Sequence, residues 1–324
     1  MIGKGVVDVK SNAAIAPADS RRAGKFCQNF RRYWLLYVIF LPAFISLFIF
    51  SYIPLGGLIL AFKDYSPRLG MWMSEFVTPI WKHFADALSG TDFWKVTLNT
   101  LRISLLRLAF GFPAPVLLAL FLNEVRHPKF KKGVQTIVYL PHFLSWIVVA
   151  GMVRTLMSGD GMINSVLESL GLSSVPFLTD PNWFLFTLIV TDIWKSMGYG
   201  SIIYMAAISG IDQNLYEAAT VDGANRWQKM RYVTLPCLGM AISINLILQL
   251  SGILSAGFDQ IFNLYSPVVY DTADIIDTYV YRMGIVAGNF EVGTALGLVK
   301  SVIALFLILV TNKIAKKMGG EGIL

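Results

Sequence analysis

The sequence predicts an all-α, polytopic membrane protein with six transmembrane helices. Three observations carry that prediction. AVILMFWYC make up 55% of the 324 residues and 27 glycines add to them, above the 45–50% of a soluble chain on that combined count. Charged residues are 15% of the chain, against a usual quarter, and the mean hydropathy is +0.60. Apolar runs recur at the length of roughly 20 residues that a helix needs to cross a hydrocarbon core about 30 Å thick. Together these exclude a disordered chain, a coiled coil and an ordinary soluble enzyme.

The elements follow in order. Residues 33–62 contain no charge and give a first span near 34–56. The run is too long for a signal peptide and no A-x-A site follows it, so it reads as an anchor. A second span fits 98–122, with Arg102 and Arg107 in its first half. A third fits 134–156, and a fourth fits 184–208 with Asp192 and Lys195 inside it. A fifth fits 236–256, and a sixth fits 293–312 around Lys300. Gly293 and Gly297 form a GxxxG that admits close helix packing.

Lys and Arg sort between the loops. Seventeen lie in 1–33, 123–133, 209–235 and the segment after Thr311, and five lie in the loops between them. Cytoplasmic loops carry the excess, so both termini are expected in the cytoplasm. The +7 net charge therefore reflects orientation in a bilayer, not a nucleic-acid partner. The chain divides into a basic, loosely ordered N-terminal tail (1–33), a first helix with a periplasmic segment (34–96), a five-helix core (97–312) and a cytoplasmic tail (313–324).

Enzyme signatures are absent. The sequence has no GxxxxGK[ST], no HExxH and no GxSxG, so nothing in it would hold ATP or a catalytic zinc. His83, His127 and His142 share no helical spacing and read as interface or loop residues. Cys27 and Cys237 form no CxxC pair. Asp271, Asp274 and Asp277 lack the alternate spacing of a calcium loop and read as a solvated acidic face.

The segment 210–236 is different. Asp212 can cap a short helix on which Leu215, Ala218 and Ala219 share a face. Gly223 stops it, a second short helix follows over 225–233, and Pro236 breaks the chain before span five. Small alanines beside the Glu217 carboxylate suit close docking against another protein.

Glu217-Ala218-Ala219, then Asp222-Gly223-Ala224, then Leu235-Pro236, resembles the EAA motif of permease subunits in type I ATP-binding-cassette importers. Phe110–Pro115, Tyr139–Phe143, Asp192–Lys195, Gly257–Asn263 and Asp274–Tyr281 resemble the carbohydrate permeases of that family, its oligo- and polysaccharide group above all. The likeness covers about residues 30–324. It implies the type I permease fold, with 97–312 as its core. It also implies a second, different permease subunit, two ATPase subunits that hold ATP and Mg, and a periplasmic solute-binding protein. By the same resemblance, Leu215, Glu217, Ala218, Ala219, Asp222, Gly223 and Ala224 dock an ATPase through a coupling helix near 214–224. This chain itself would need no cofactor or metal.

A saccharide path needs amides, hydroxyls and aromatic rings. Span five offers Ser243, Asn245, Gln249, Ser251 and Ser255, which should face protein or a water-filled cavity. Trp146, Trp194, Tyr199 and Tyr204 are candidate rings. Asp192 and Lys195 can pair at i, i+3. Arg102 and Arg154 lie near span ends and can snorkel. Five cations against one carboxylate within the spans favour an anionic substrate such as a uronate oligosaccharide. The alternative, a proton-coupled secondary transporter, needs a mid-membrane acid or histidine relay, for which Asp192 is the sole clear acid.

Overall fold

The computed structural model describes residues 18–317, which are helical apart from turns, loops and one isolated bridge pairing Lys63 with Phe76. They fall into two compact units, one ending at Leu58 and one beginning at Ile59.

The first unit holds helix α1, Ala18–Leu47. The expected loose tail is therefore helical from Ala18 onward, and only residues 1–17 of it lie outside the described residues. Ala, Arg, Lys and Gln dominate 18–32, and these are strong helix formers. The turn at Tyr33, with φ −115° and ψ 16°, separates this basic segment from the apolar run. The helix then loosens into a wide π turn at Phe48–Tyr52. Phe40, Phe44, Phe48 and Tyr52 succeed one another at four-residue steps, with ring centroids 6.1 to 6.5 Å apart. The apolar side chains from Leu35 to Phe50 in this segment are largely exposed, as a bilayer-facing helix requires.

In the second unit, α2 (Thr91–Leu106) passes through a π turn at Arg107–Gly111 into α3 (Pro113–Glu124). Pro113 and Pro115 lack the N–H groups that an unbroken ladder needs, and the wide turn sits immediately before them. Next come α4 (Pro128–Tyr139) and α5 (Trp146–Met157). The expected third span is not straight: the chain bends by 105° between Phe143 and Trp146. A 3₁₀ turn at Leu140–Phe143 contains Pro141. Ser145 then caps α5 by accepting the Val148 N–H at 3.4 Å.

α6 (Pro181–Ser209) is capped by Asp180, whose carboxylate accepts the Asn182 and Trp183 N–H groups. α7 (Gln213–Val221) follows. The fifth span begins with a 58° bend near Leu238, two residues past Pro236. It continues as α8 (Gly239–Ser251) and breaks again at Gly252, where a 3₁₀ turn leads to left-handed Ala256 and Gly257. α9 (Phe290–Lys317) ends the described chain.

Among the described residues, three helical stretches are long and apolar enough to cross a membrane, and five are if each bent pair forms one span. The remaining expected span, the fourth (184–208), lies in α6. Its 29 residues reach about 43 Å at 1.5 Å per residue. Thr187, Thr191, Asp192, Lys195 and Ser201 dilute its apolar character, but Thr187 and Ser201 are fully buried and Thr191 nearly so. Polar groups turned into protein are tolerated at membrane depth.

The main core joins Ile103 of α2, Val149 and Val153 of α5, and Phe184 and Leu188 of α6 to Ile261, Val269 and Ile275. A second cluster packs Val116, Ala119 and Leu120 of α3 against Tyr204 and Ile208 of α6 and against Leu238. Tyr204 is therefore a core residue rather than a ring on a path. Gly293 packs on Gly284, whose Cα lies 2.6 Å from where a Gly293 side chain would begin.

The three aspartates do not form one solvated face. Asp274 is 3% exposed and pairs with Arg282 at 2.6 Å. Asp277 pairs with Lys300, and Asp271 pairs with Lys95. The spacing of three directed each carboxylate to a cation on a different element, a relation that local sequence could not show.

Candidate functional site

Two features stand out: an exposed short helix at one end of the bundle, and a polar cavity among α2, α6 and the broken fifth span.

The short helix is α7. Asp212 caps it by accepting the Asn214 N–H at 3.0 Å. Leu215, Glu217, Ala218 and Asp222 are exposed and Ala219 and Ala224 are half-buried, while no residue of the helix is buried. Gly223 takes φ +77°, a conformation that costs glycine least. Its N–H and that of Ala224 bond back to the carbonyls of Thr220 and Ala219. Asn225 and Gln228 then form a capping box that starts the second short helix.

Three further contacts, which sequence reasoning missed, fix this unit. Tyr216 Oη lies 2.9 Å from Thr234 Oγ1, and Thr234 is 1% exposed. Lys229 donates to Thr220 Oγ1 at 2.7 Å. Trp227 stands edge-on to Phe121 of α3 with centroids 6.3 Å apart. Tyr216 follows Leu215 directly and so points about 100° away from its face, and the apolar periodicity gave no hint of it.

The cavity has a volume of about 510 Å³. Arg107, His142, Asp192, Tyr199, Gln249 and Ser255 are among the residues lining it. His142 lies flat on Tyr199, with centroids 4.0 Å apart and an interplanar angle of 2°. Of the expected path residues, Tyr199, Gln249 and Ser255 therefore meet in one place. Asn245 instead donates back to the Ala241 carbonyl at 2.9 Å, and neither it nor Trp194 is on the cavity wall. The Ser251 side chain lies outside the described residues.

Asp192 does not pair with Lys195. Its carboxylate lies 3.7 Å from Arg107 Nη1. Lys195 donates to the His142 carbonyl at 2.8 Å and sits 5.4 Å over the Trp146 ring. Arg107 also donates to Gln260 Oε1. Gln260 is fully buried, and its amide nitrogen donates to the Leu188 carbonyl and to Thr191 Oγ1 at 2.8 and 2.7 Å. This network ties α6 to the segment that follows the broken span. Gly257, at φ +79°, leaves the room that the Arg107 guanidinium occupies; any Cβ there would overlap it. The excess of cations inside the spans is thus smaller by one than the sequence suggested, because Lys300 meets Asp277 from outside the spans.

Broken spans around a cavity and an exposed short helix suit a transport subunit. Residues 111–320 match the family described as binding-protein-dependent transport system inner membrane component, and the chain belongs to that family. It is a permease of the type I ABC importer fold and an integral protein of the inner membrane.

The chain is 42% identical over 289 residues to Protein LplB of Bacillus subtilis (strain 168), covering 89% of this chain and 90% of that one. It is equally identical, over 89% of each chain, to the polygalacturonan/rhamnogalacturonan transport system permease protein YteP of the same organism. Among solved structures it resembles a bacterial ABC transporter involved in the import of the acidic polysaccharide alginate. There the TM-score is 0.82 and the identity 43%, over 90% of this chain and 99% of that one. A second structure of a bacterial alginate transporter, in complex with a pentasaccharide-bound periplasmic protein, matches at TM-score 0.82 and 42% identity, over 91% and 99%.

Family membership lends no support to the proton-coupled alternative. Asp192, the acid that such a mechanism would need, is engaged by Arg107.

Proposed function

We propose that this chain forms half of a translocation path for ATP-driven uptake of an oligo- or polysaccharide, one that is anionic and alginate-like. The observation that carries the reading is the 43% identity and 0.82 TM-score to a transporter that imports an acidic polysaccharide. The cavity supports it: amide, hydroxyl, imidazole and phenol groups suit sugar hydroxyls, and the Tyr199–His142 stack offers a flat face for a sugar ring.

In this reading a second, different permease completes the path, and a periplasmic solute-binding protein delivers the saccharide. Two ATPase subunits bind ATP and Mg below, with both termini of this chain on their side of the membrane. Closure of the ATPases moves α7 and turns the cavity outward. Leu215, Glu217, Ala218, Ala219, Asp222, Gly223 and Ala224 form the docking surface. Gln249, Ser255 and Tyr199 meet the substrate, with Asn245, Ser251, Trp194 and Lys195 along the route. The domain division at 33, 96 and 312 belongs to the same proposal.

The test is uptake by the transporter reconstituted in vesicles, with neutral and uronate oligosaccharides offered separately. Uptake of the uronate alone, lost in Gln249→Ala with assembly intact, is the expected result. Equal uptake of both kinds would remove the anionic assignment, and uptake of neither would remove the saccharide.

A further inference from the structure

Four of the five cations placed within the spans have partners. Arg107 meets Asp192 and Gln260, Arg154 donates to the Asn263 carbonyl, Lys195 donates to the His142 carbonyl, and Lys300 pairs with Asp277. Arg102 differs: it is exposed and makes no hydrogen bond or ion pair among the described residues.

Arg102 lines a groove of about 340 Å³ between α2 and α6. One wall carries Arg102 and Leu106 at a four-residue step; the other carries Asn182, Phe186, Ile189 and Ile193. The two helices run in the same direction, since Arg107 meets Asp192 and, further along, Leu120 packs with Tyr204 and Ile208. Arg102 and Asn182 therefore lie toward the same end, away from Glu124 and Ser209. Apart from those two residues the lining is wholly apolar. Along the helical stretch Arg102 is about 33 Å from Glu124 at 1.5 Å per residue. With Glu124 at one surface of a core about 30 Å thick, Arg102 reaches the headgroup level of the other.

We infer that this groove binds an anionic phospholipid, with an acyl chain along the apolar walls and the phosphodiester on the Arg102 guanidinium beside the Asn182 amide. A guanidinium left alone at a membrane surface gains both charge and paired hydrogen bonds from a phosphate. The walls below offer a hydrocarbon chain contact but offer a saccharide no hydrogen bonds. An apolar helix of another subunit would cover the walls but leave Arg102 without its anion. The site is separate from the cavity and from α7, so it adds to the proposed function without depending on it.

The test uses the transporter purified with its partner subunits in detergent. Phosphatidylglycerol or phosphatidylcholine is added, and retained lipid is read by native mass spectrometry alongside the melting midpoint. Wild type should retain phosphatidylglycerol several-fold over phosphatidylcholine and melt several degrees higher with it. Arg102→Gln should lose both differences, and Arg102→Lys should keep part of them. Equal retention of the two lipids by wild type, or an unchanged preference in Arg102→Gln, would overturn the inference. So would a crosslink from a photoreactive residue at position 186 to the second permease, which would show that protein covers the groove.

Discussion

Tyr216 Oη and Thr234 Oγ1 meet at 2.9 Å across the loop that joins α6 to the fifth span. Thr234 is buried at the foot of that span, one residue before Leu235-Pro236, while α7 stands exposed. The contact joins α7 to the start of the span. Under the proposed function, a force on the exposed helix would pass to the span through this bond.

Tyr216→Phe removes one neutral hydrogen bond, worth about 1 kcal/mol, and leaves the ring in place. Folding and ATPase retention should be nearly unchanged. Transport per ATP hydrolysed should fall, and a parallel assay of uptake and hydrolysis in the assembled transporter measures it. Unchanged coupling would show that the bond has no mechanical role.

The Arg107 network gives a stability prediction. Arg107→Met leaves Asp192 and Gln260 without their cation; breaking a fully buried pair costs about 3–5 kcal/mol, and this half-buried pair on the cavity wall falls below that. A fall in melting temperature is expected. Adding Asp192→Leu should recover much of it, since the uncompensated charge is then gone. A simple sum of the two single losses would mean that the two residues are not coupled.

Gly257→Ala should be at least as disruptive as its size suggests. Its φ of +79° strains any side chain, and the new Cβ would overlap the Arg107 guanidinium. Combining it with Arg107→Ala relieves the overlap but not the backbone strain. Because Arg107→Ala also strands Asp192, the expected outcome is a loss in the double variant smaller than the sum of the two single losses, read as folded protein extracted from the membrane.

Much of this was legible in the sequence, for identifiable reasons. Asp212 and Gly223 mark the ends of α7 because caps and stops are local chemistry. The first span reads clearly because its apolar run is uninterrupted, and the last because Lys300 alone breaks it. The break in the third span was not visible, although Pro141 and Ser145 are its cause, since apolar composition continues unchanged through the bend. The partners of Asp192 were not legible either. Lys195 is its neighbour on the same helix, but Arg107 arrives from another helix 85 positions earlier in the chain. His142 offered no periodic signal, and its place on Tyr199 depends on that same bend.

In the proposed function, α7 holds an ATPase to this permease. Co-purification from detergent, with wild type compared to Glu217→Lys and Gly223→Asp, tests it most directly. Wild type should bring down an ATPase subunit and a second permease, and the variants should keep the permease but lose the ATPase. Full retention of the ATPase by both variants would contradict it.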